Sequence, residues 1–245
     1  TDLFLIQKNQ GINDTILSLQ DLNIKMNFFS LFFKKNIRMN NVQINSPDLE
    51  IFQYDLIDIE KIPNSLPQLK SKKRDFTFSN LQVKNLSIKN KNTTLKDVDI
   101  KINRLVSNQN NFFIKDVILK HEDSFIELNI FQVDSGFVID VDTAFLHSSS
   151  QLLNFVSDSS LMSVDLDFST NIFLNSSKVV YFDTDAKFGS SDFNFGGFYD
   201  DDSLFINFKK SHLLLSDFIT KDTTDDYIKL DSLNFSSSIV CHRTD

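Results

Sequence analysis

The sequence predicts a mainly β chain of short, twisted antiparallel strands with one apolar face, joined by tight turns and a few short helices. Three observations lead there. Apolar residues alternate with Asn, Lys, Asp, Gln and Ser at period two over most of the 245 residues, which gives one apolar and one wet face. Alanine, the best helix former, occurs only at Ala144 and Ala186, while Phe occurs 26 times, so the vocabulary leans to strand. Short polar clusters such as Asn90–Asn92 and Asp200–Asp202 punctuate the alternation as turns.

Taken in order, a first β segment is expected over residues 1–54. Leu22, Ile24 and Met26 alternate, then Ile37 and Met39, Val42 and Ile44, Leu49 and Ile51. Between them stands FFSLFF, followed by Lys34 and Lys35. Phe28 with Phe32 and Phe29 with Phe33 are spaced i,i+4, so this stretch predicts a short helical cover over one end of the groove. The paired lysines would lie at its water boundary.

Residues 55–75 hold Pro63, Pro67 and a basic finish and are expected as a connector. The sheet then continues over residues 76–245, as one continuous domain with the first segment. Phe76 and Phe78, Leu81 and Val83, Leu86 and Ile88 alternate, followed by Val98, Ile100 and Ile102. Further alternating runs begin at Ile126, Phe137, Val164, Phe193 and Leu204. A Ser-rich lead before Leu152, Leu153, Phe155 and Val156 predicts one short amphipathic helix near 148–156.

The phase of the alternation slips. Met39 to Val42, Phe78 to Leu81 and Val83 to Leu86 are each three apart. A slip inside a strand turns the buried face outward unless a bulge absorbs it, so bulged, strongly twisted strands or tight corners are expected. With only five glycines, left-handed turn positions fall to Asn and Asp, as at Asn40–Asn41.

Charge is unevenly spread. Residues 1–122 carry 18 Lys and Arg against 13 Asp and Glu, a balance of +5; residues 123–245 carry 7 against 20, a balance of −13. The first half suits anionic headgroups, and the net charge of −8 argues against a nucleic-acid partner. One cysteine, Cys241, rules out an internal disulfide framework and a Cys-rich zinc site. No apolar run of ~18 residues appears, so no segment reads as a membrane-spanning helix. The start at Thr1, without Met or a signal-peptide pattern, is read as that of a processed chain or a piece of a larger protein, with any anchor outside it.

Catalytic signatures are absent: no phosphate-binding glycine loop, HExxH, GxSxG, kinase or EF-hand pattern occurs. His121, His147, His212 and His242 are far apart. The acids at Asp200–Asp202 and Asp225–Asp226 lack the ligand spacing of a calcium loop and read as polar turns. The expectation is a chain that is not an enzyme, with no catalytic residues, metal site or cofactor.

The order of features resembles one known group. The matching positions are Leu22, Ile24, Met26, Leu31, Ile37, Val42, Ile44, Pro47, Leu49, Glu50 and Ile51, then Phe78, Leu81, Val83, Leu86, Ile88, Leu95, Val98 and Ile100. In this pattern the chain resembles the AsmA-like superfamily of bacterial envelope proteins, the group containing AsmA, TamB and YhdP. It departs from the family in lacking the N-terminal inner-membrane helix and in having Asn90–Lys91–Asn92 where a hairpin glycine is usual.

The resemblance implies a long, twisted, curled antiparallel sheet, a half-pipe or β-groove with an apolar inner face. It further implies a periplasmic lipid conduit, anchored to the inner membrane in the full-length protein, that shields phospholipid acyl chains on their way between inner and outer membranes. Its partners would be acyl chains, the inner membrane and other envelope proteins. The groove-lining residues would be Leu22, Ile24, Met26, Val42, Ile44, Leu81, Val83, Leu86, Ile88, Val98, Ile100 and Ile102, with Phe28, Phe29, Phe32 and Phe33 covering the end. The competing expectation is a structural or adhesive β-rich surface module with a closed core and no lipid.

Overall fold

The computed structural model describes residues 3–9, 12–19, 21–26, 36–50, 75–89, 94–108, 112–152, 164–177, 179–200, 203–214 and 232–242. Almost all of them are in β-strands, as the alternation demands. The chain divides into two compact units, Thr1–Glu122 and Asp123–Asp245. This boundary falls where the charge balance changes sign.

The first unit contains β1 (Leu3–Asn9), β2 (Ile12–Leu19), β3 (Asp21–Met26), β4 (Asn36–Asn45), β5 (Asp48–Glu50), β6 (Asp75–Lys89), β7 (Thr94–Ser107) and β8 (Phe112–His121). β6 is its spine. β7 pairs antiparallel along one edge of β6, and β8 pairs antiparallel with β7. Along its other edge β6 meets first β4 and then β5, both parallel. The sheet is therefore mixed, where the sequence predicts an antiparallel one. Alternation fixes which face a residue occupies, but it is the same for either direction of the neighbour. β3 and β2 complete the edge, antiparallel to β4 and β5.

Two of the three phase slips are bulges: Asn41 of β4 has no counterpart on β3, and Lys84 and Asn85 of β6 face only Asp99 of β7. The third, from Phe78 to Leu81, is an extra residue matched in both neighbouring strands. Asn40 pairs with Ser79 and Val42 with Leu81, so Asn41 and Asn80 are left over side by side. The surplus continues into the next strands: Ile102 and Arg104 pair with Val117 and Lys115, skipping Asn103 and Asp116. Asn41, Asn80 and Asp116 have φ of 52°, 56° and 53°, and Asn80 Nδ2 donates to Asn41 Oδ1 at 2.7 Å. A seam of extra residues thus crosses four strands and restores the apolar phase beyond it. A second left-handed group, Ser46, Asn85 and Asp97, serves the Val83-to-Leu86 slip. The left-handed Asn and Asp residues expected at turns are here inside strands, because a positive φ bends a strand as readily as it closes a hairpin.

The second unit is an antiparallel meander in chain order: β9 (Ser124–Val133), β10 (Gly136–Leu146), β11 (Leu166–Asn175), β12 (Val180–Phe188), β13 (Ser191–Tyr199), β14 (Ser203–Leu214) and β15 (Ser232–His242). β12 alternates half-buried and exposed along its length, the signature of a strand with one covered face. After β10, Ser150 Oγ accepts from the Leu152 N–H at 3.2 Å, the capping contact a Ser-rich lead provides. Of the helix expected near 148–156, residues 148–152 are described: 148–150 form the turn after β10, and Gln151 and Leu152 have helical backbone. FFSLFF and residues 55–74 of the connector lie outside the described residues; Asp75 already belongs to β6.

Candidate functional site: an apolar sheet face

In the first unit, strand register gathers the residues expected to line a groove. Leu22 lies opposite Ile44, Ile44 beside Val83, and Val83 opposite Ile100. The next row runs Ile24, Val42, Leu81, Ile102. Met26 pairs with Met39, Leu86 with Val98, and Ile88 with Leu95. Because paired residues share a face, these twelve positions belong to one side of the sheet. Their accessibility differs. Val42, Leu86 and Val98 are buried, Val98 completely. Ile44, Leu81, Val83, Ile88, Ile100 and Ile102 are half-buried and keep surface a ligand can touch. Phe28, Phe29, Phe32 and Phe33, the expected cover, lie outside the described residues.

The second unit carries the more open face, and the expected groove residues do not include it. Each strand contributes an apolar row: Ile139, Val141 and Ala144 on β10 meet Ile172, Thr170 and Phe168 on β11. These continue to Phe182, Thr184 and Ala186 on β12, then to Gly197, Phe195 and Phe193 on β13. Phe195 pairs with Phe208 on β14, their ring centroids 5.5 Å apart. Phe208 in turn contacts Phe235 on β15 at 5.4 Å.

Over β11–β13 this face is hollowed into a concavity of about 510 Å³. Phe168, Ile172, Phe182, Phe188, Phe193 and Phe195 form its walls, and Thr170, Thr184 and Ala186 are its small members. The two hydroxyls do not make it polar. Thr170 Oγ1 lies 2.7 Å from Thr184 Oγ1 and donates to the Asp183 carbonyl at 3.1 Å. Such a pair turns its methyl groups to the hollow. One polar group on this side stands apart: Ser211 Oγ is buried and has no hydrogen-bond partner among the described residues. The signal for this hollow was in the sequence, since Val180, Phe182, Thr184, Ala186 and Phe188 alternate with Tyr181, Asp183, Asp185 and Lys187. The small Thr and Ala conceal it from a count of large apolar residues.

The opposite side of the second unit is polar over most of its area. Lys209 Nζ binds both oxygens of Asp183, at 2.6 and 2.8 Å, and Asn194 donates to Asp185. Near the end of β10, His147 Nδ1 is 2.8 Å from Ser149 Oγ, and Nε2 is 3.8 Å from Asp165 Oδ1. The His147 N–H donates to Ser124 Oγ and the Ser148 N–H to Asp165 Oδ1, both at 2.9 Å. These bonds tie the turn after β10 to β9 and to the residue leading into β11.

Among the described residues, no three His, Cys, Asp or Glu side chains come together to hold a metal ion. None of the described helical residues forms a helix long and apolar enough to cross a membrane. In comparisons with known proteins, no family model, no curated protein and no solved structure matches the chain.

Proposed function

We propose that the chain is a segment of an AsmA-like lipid conduit, which holds phospholipid acyl chains against the apolar faces of its sheets in the periplasm. The observation that carries this reading is the hollow over β11–β13. Its walls are Phe and Ile, its two hydroxyls are satisfied by each other and by backbone, and nothing in it selects a polar ligand. At ~0.8 kcal/mol per methylene, an acyl chain of ~15 carbons needs on the order of 12 kcal/mol of shielding from water. Continuous apolar surface supplies it, and no hydrogen-bond geometry is required because the headgroup stays in water. In the first unit, the half-buried Leu81, Val83, Ile100 and Ile102 offer the same chemistry.

A structural or adhesive module requires that such a face close on itself at crystal-like density. The partly accessible Phe182, Phe193 and Phe195 favour an occupant instead. The test is native purification followed by lipid mass spectrometry, with a photoreactive residue placed at Thr184 and, separately, at Ile100. Co-purified phospholipid, crosslinked at these positions and not at Asp185 on the opposite side, is the expected result. Lipid-free protein without crosslinks at either apolar position would overturn the proposal.

A further inference from the structure

The polar side of the second unit carries one apolar row. Val138 on β10 pairs with Phe173 on β11, Phe173 with Tyr181, Tyr181 with Phe198, Phe198 with Phe205, and Phe205 with Val240 on β15. Phe131 on β9 pairs with Val138 at the other end, so each of seven consecutive strands gives one large apolar residue to a single line across the sheet. The line lies on the side opposite the hollow, because Tyr181 and Phe182 are neighbours on β12 and point to opposite faces. Tyr181 is 43% and Val240 54% exposed.

The ring geometry narrows what can sit there. Phe173 and Tyr181 are stacked at 6.1 Å, with 22° between their planes, and Phe198 and Phe205 at 5.5 Å and 23°. Between them, Tyr181 and Phe198 are tilted, at 6.2 Å and 48°. The four rings are therefore in contact one after another along the line and form an apolar ridge.

Charge narrows it further. One row inward on the same side lies Asp140, with Asp183 beyond it already bound through both oxygens by Lys209. Beyond the ridge, the strand-connecting turns carry Asp134, which is exposed, and Asp200. The ridge is therefore bordered by carboxylates on both sides, within a unit of net charge −13. An anionic membrane would be repelled by the acidic turns. A second copy would bring like borders together.

We propose that this ridge docks a basic amphipathic helix of a partner protein, laid across the strands with its apolar stripe on the rings and its Lys and Arg against the flanking acids. Six strand spacings of ~4.8 Å give a ridge of about 29 Å, long enough to seat a helix of about 16 residues, or four turns. The site is independent of the lipid proposal, since it uses the other side of the sheet.

The test uses the intact chain and a 16-residue peptide of Leu at helical spacing and Lys elsewhere, with one Trp as reporter. The chain has no Trp, so the indole signal belongs to the peptide. Saturable binding that weakens with salt is expected. It should drop about tenfold in Tyr181→Asn/Val240→Asn, two exposed positions whose loss leaves the fold intact by circular dichroism. Asp134→Asn/Asp140→Asn should flatten the salt dependence; this second variant keeps the test valid if the first fails to fold. Equal binding of a Leu/Glu peptide, or equal binding by both variants, overturns the proposal. So does self-association of the chain, or binding to phosphatidylglycerol vesicles, that is lost in the Tyr181/Val240 variant, because either assigns the ridge to another occupant.

Discussion

Asn80 offers a direct test of how the sheet of the first unit keeps its apolar phase. It is the extra residue of β6, at φ 56°, donating to Asn41 Oδ1 at 2.7 Å and accepting from Gln82 Nε2 at 3.2 Å. Placing a β-branched residue in this conformation costs about 1–2 kcal/mol through the clash of Cβ with the following carbonyl. Losing two hydrogen bonds at a partly wetted site adds about 1 kcal/mol. Asn80→Val is therefore expected to destabilise the chain by about 2–3 kcal/mol. Asn80→Gly loses the same two bonds but has no Cβ, so its cost is about 1 kcal/mol, part of it from unfolded-state entropy. The difference between the two variants isolates the backbone requirement. Urea unfolding followed by far-ultraviolet circular dichroism measures both. If Asn80→Val and Asn80→Gly fall within about 0.5 kcal/mol of each other, the left-handed position is not what holds the extra residue and the account of the phase slips is wrong.

Three other outcomes follow from packing. At Gly197 an added Cβ would stand 1.9 Å from the Phe205 carbonyl oxygen and 2.9 Å from Phe182 Cζ; Gly197→Ala should therefore cost at least about 1–3 kcal/mol, read as a lowered thermal midpoint. Leu95 is 1% exposed, and Leu95→Ala should cost about 2–5 kcal/mol by the same urea assay. Ser211→Ala removes a buried hydroxyl that lacks a described partner and should be neutral or stabilising by up to about 1 kcal/mol; a loss above 1 kcal/mol would mean the hydroxyl is satisfied after all.

What the sequence discloses and what it hides divide along physical lines. Alternation is a property of each strand alone, so Leu86, Ile88, Val98 and Ile100 could be assigned to one face without knowledge of their neighbours, and the register agrees. The slips at Met39, Phe78 and Val83 are equally local; the first and last are bulges, and the second is an extra residue matched across the neighbouring strands. Strand direction is not local, which is why the parallel pairing of β4 with β6 was not legible. The ridge was hidden for a related reason. Phe173, Tyr181, Phe198 and Phe205 each occur singly at a polar phase of their own strand, and only register makes them a line. The hollow over β11–β13 was half legible: Leu166, Phe168, Phe193 and Phe195 showed their period, while Thr184 and Ala186 masked that of β12.

The small residues of the hollow bear directly on how the face is used. In a closed sandwich, Thr184 and Ala186 on β12 would be complemented by large side chains from a facing sheet, because interiors leave few voids. Here the volume they spare remains open between Phe168, Phe182, Phe193 and Phe195. Gly197 contributes in another way, since the missing Cβ is where the Phe182 ring edge comes to rest. The ring is thereby drawn down toward β13. Large rings at the walls and small residues between them make a trough whose depth is set by side-chain size, with the backbone left regular. A trough of that kind tolerates variation in the length and unsaturation of whatever lies in it, provided the occupant is apolar and narrow. An acyl chain meets both conditions. An extended peptide would have to leave backbone N–H and C=O groups unsatisfied against the ring-lined walls, and a helix is about 10 Å across, so a narrow acyl chain suits the hollow better than either.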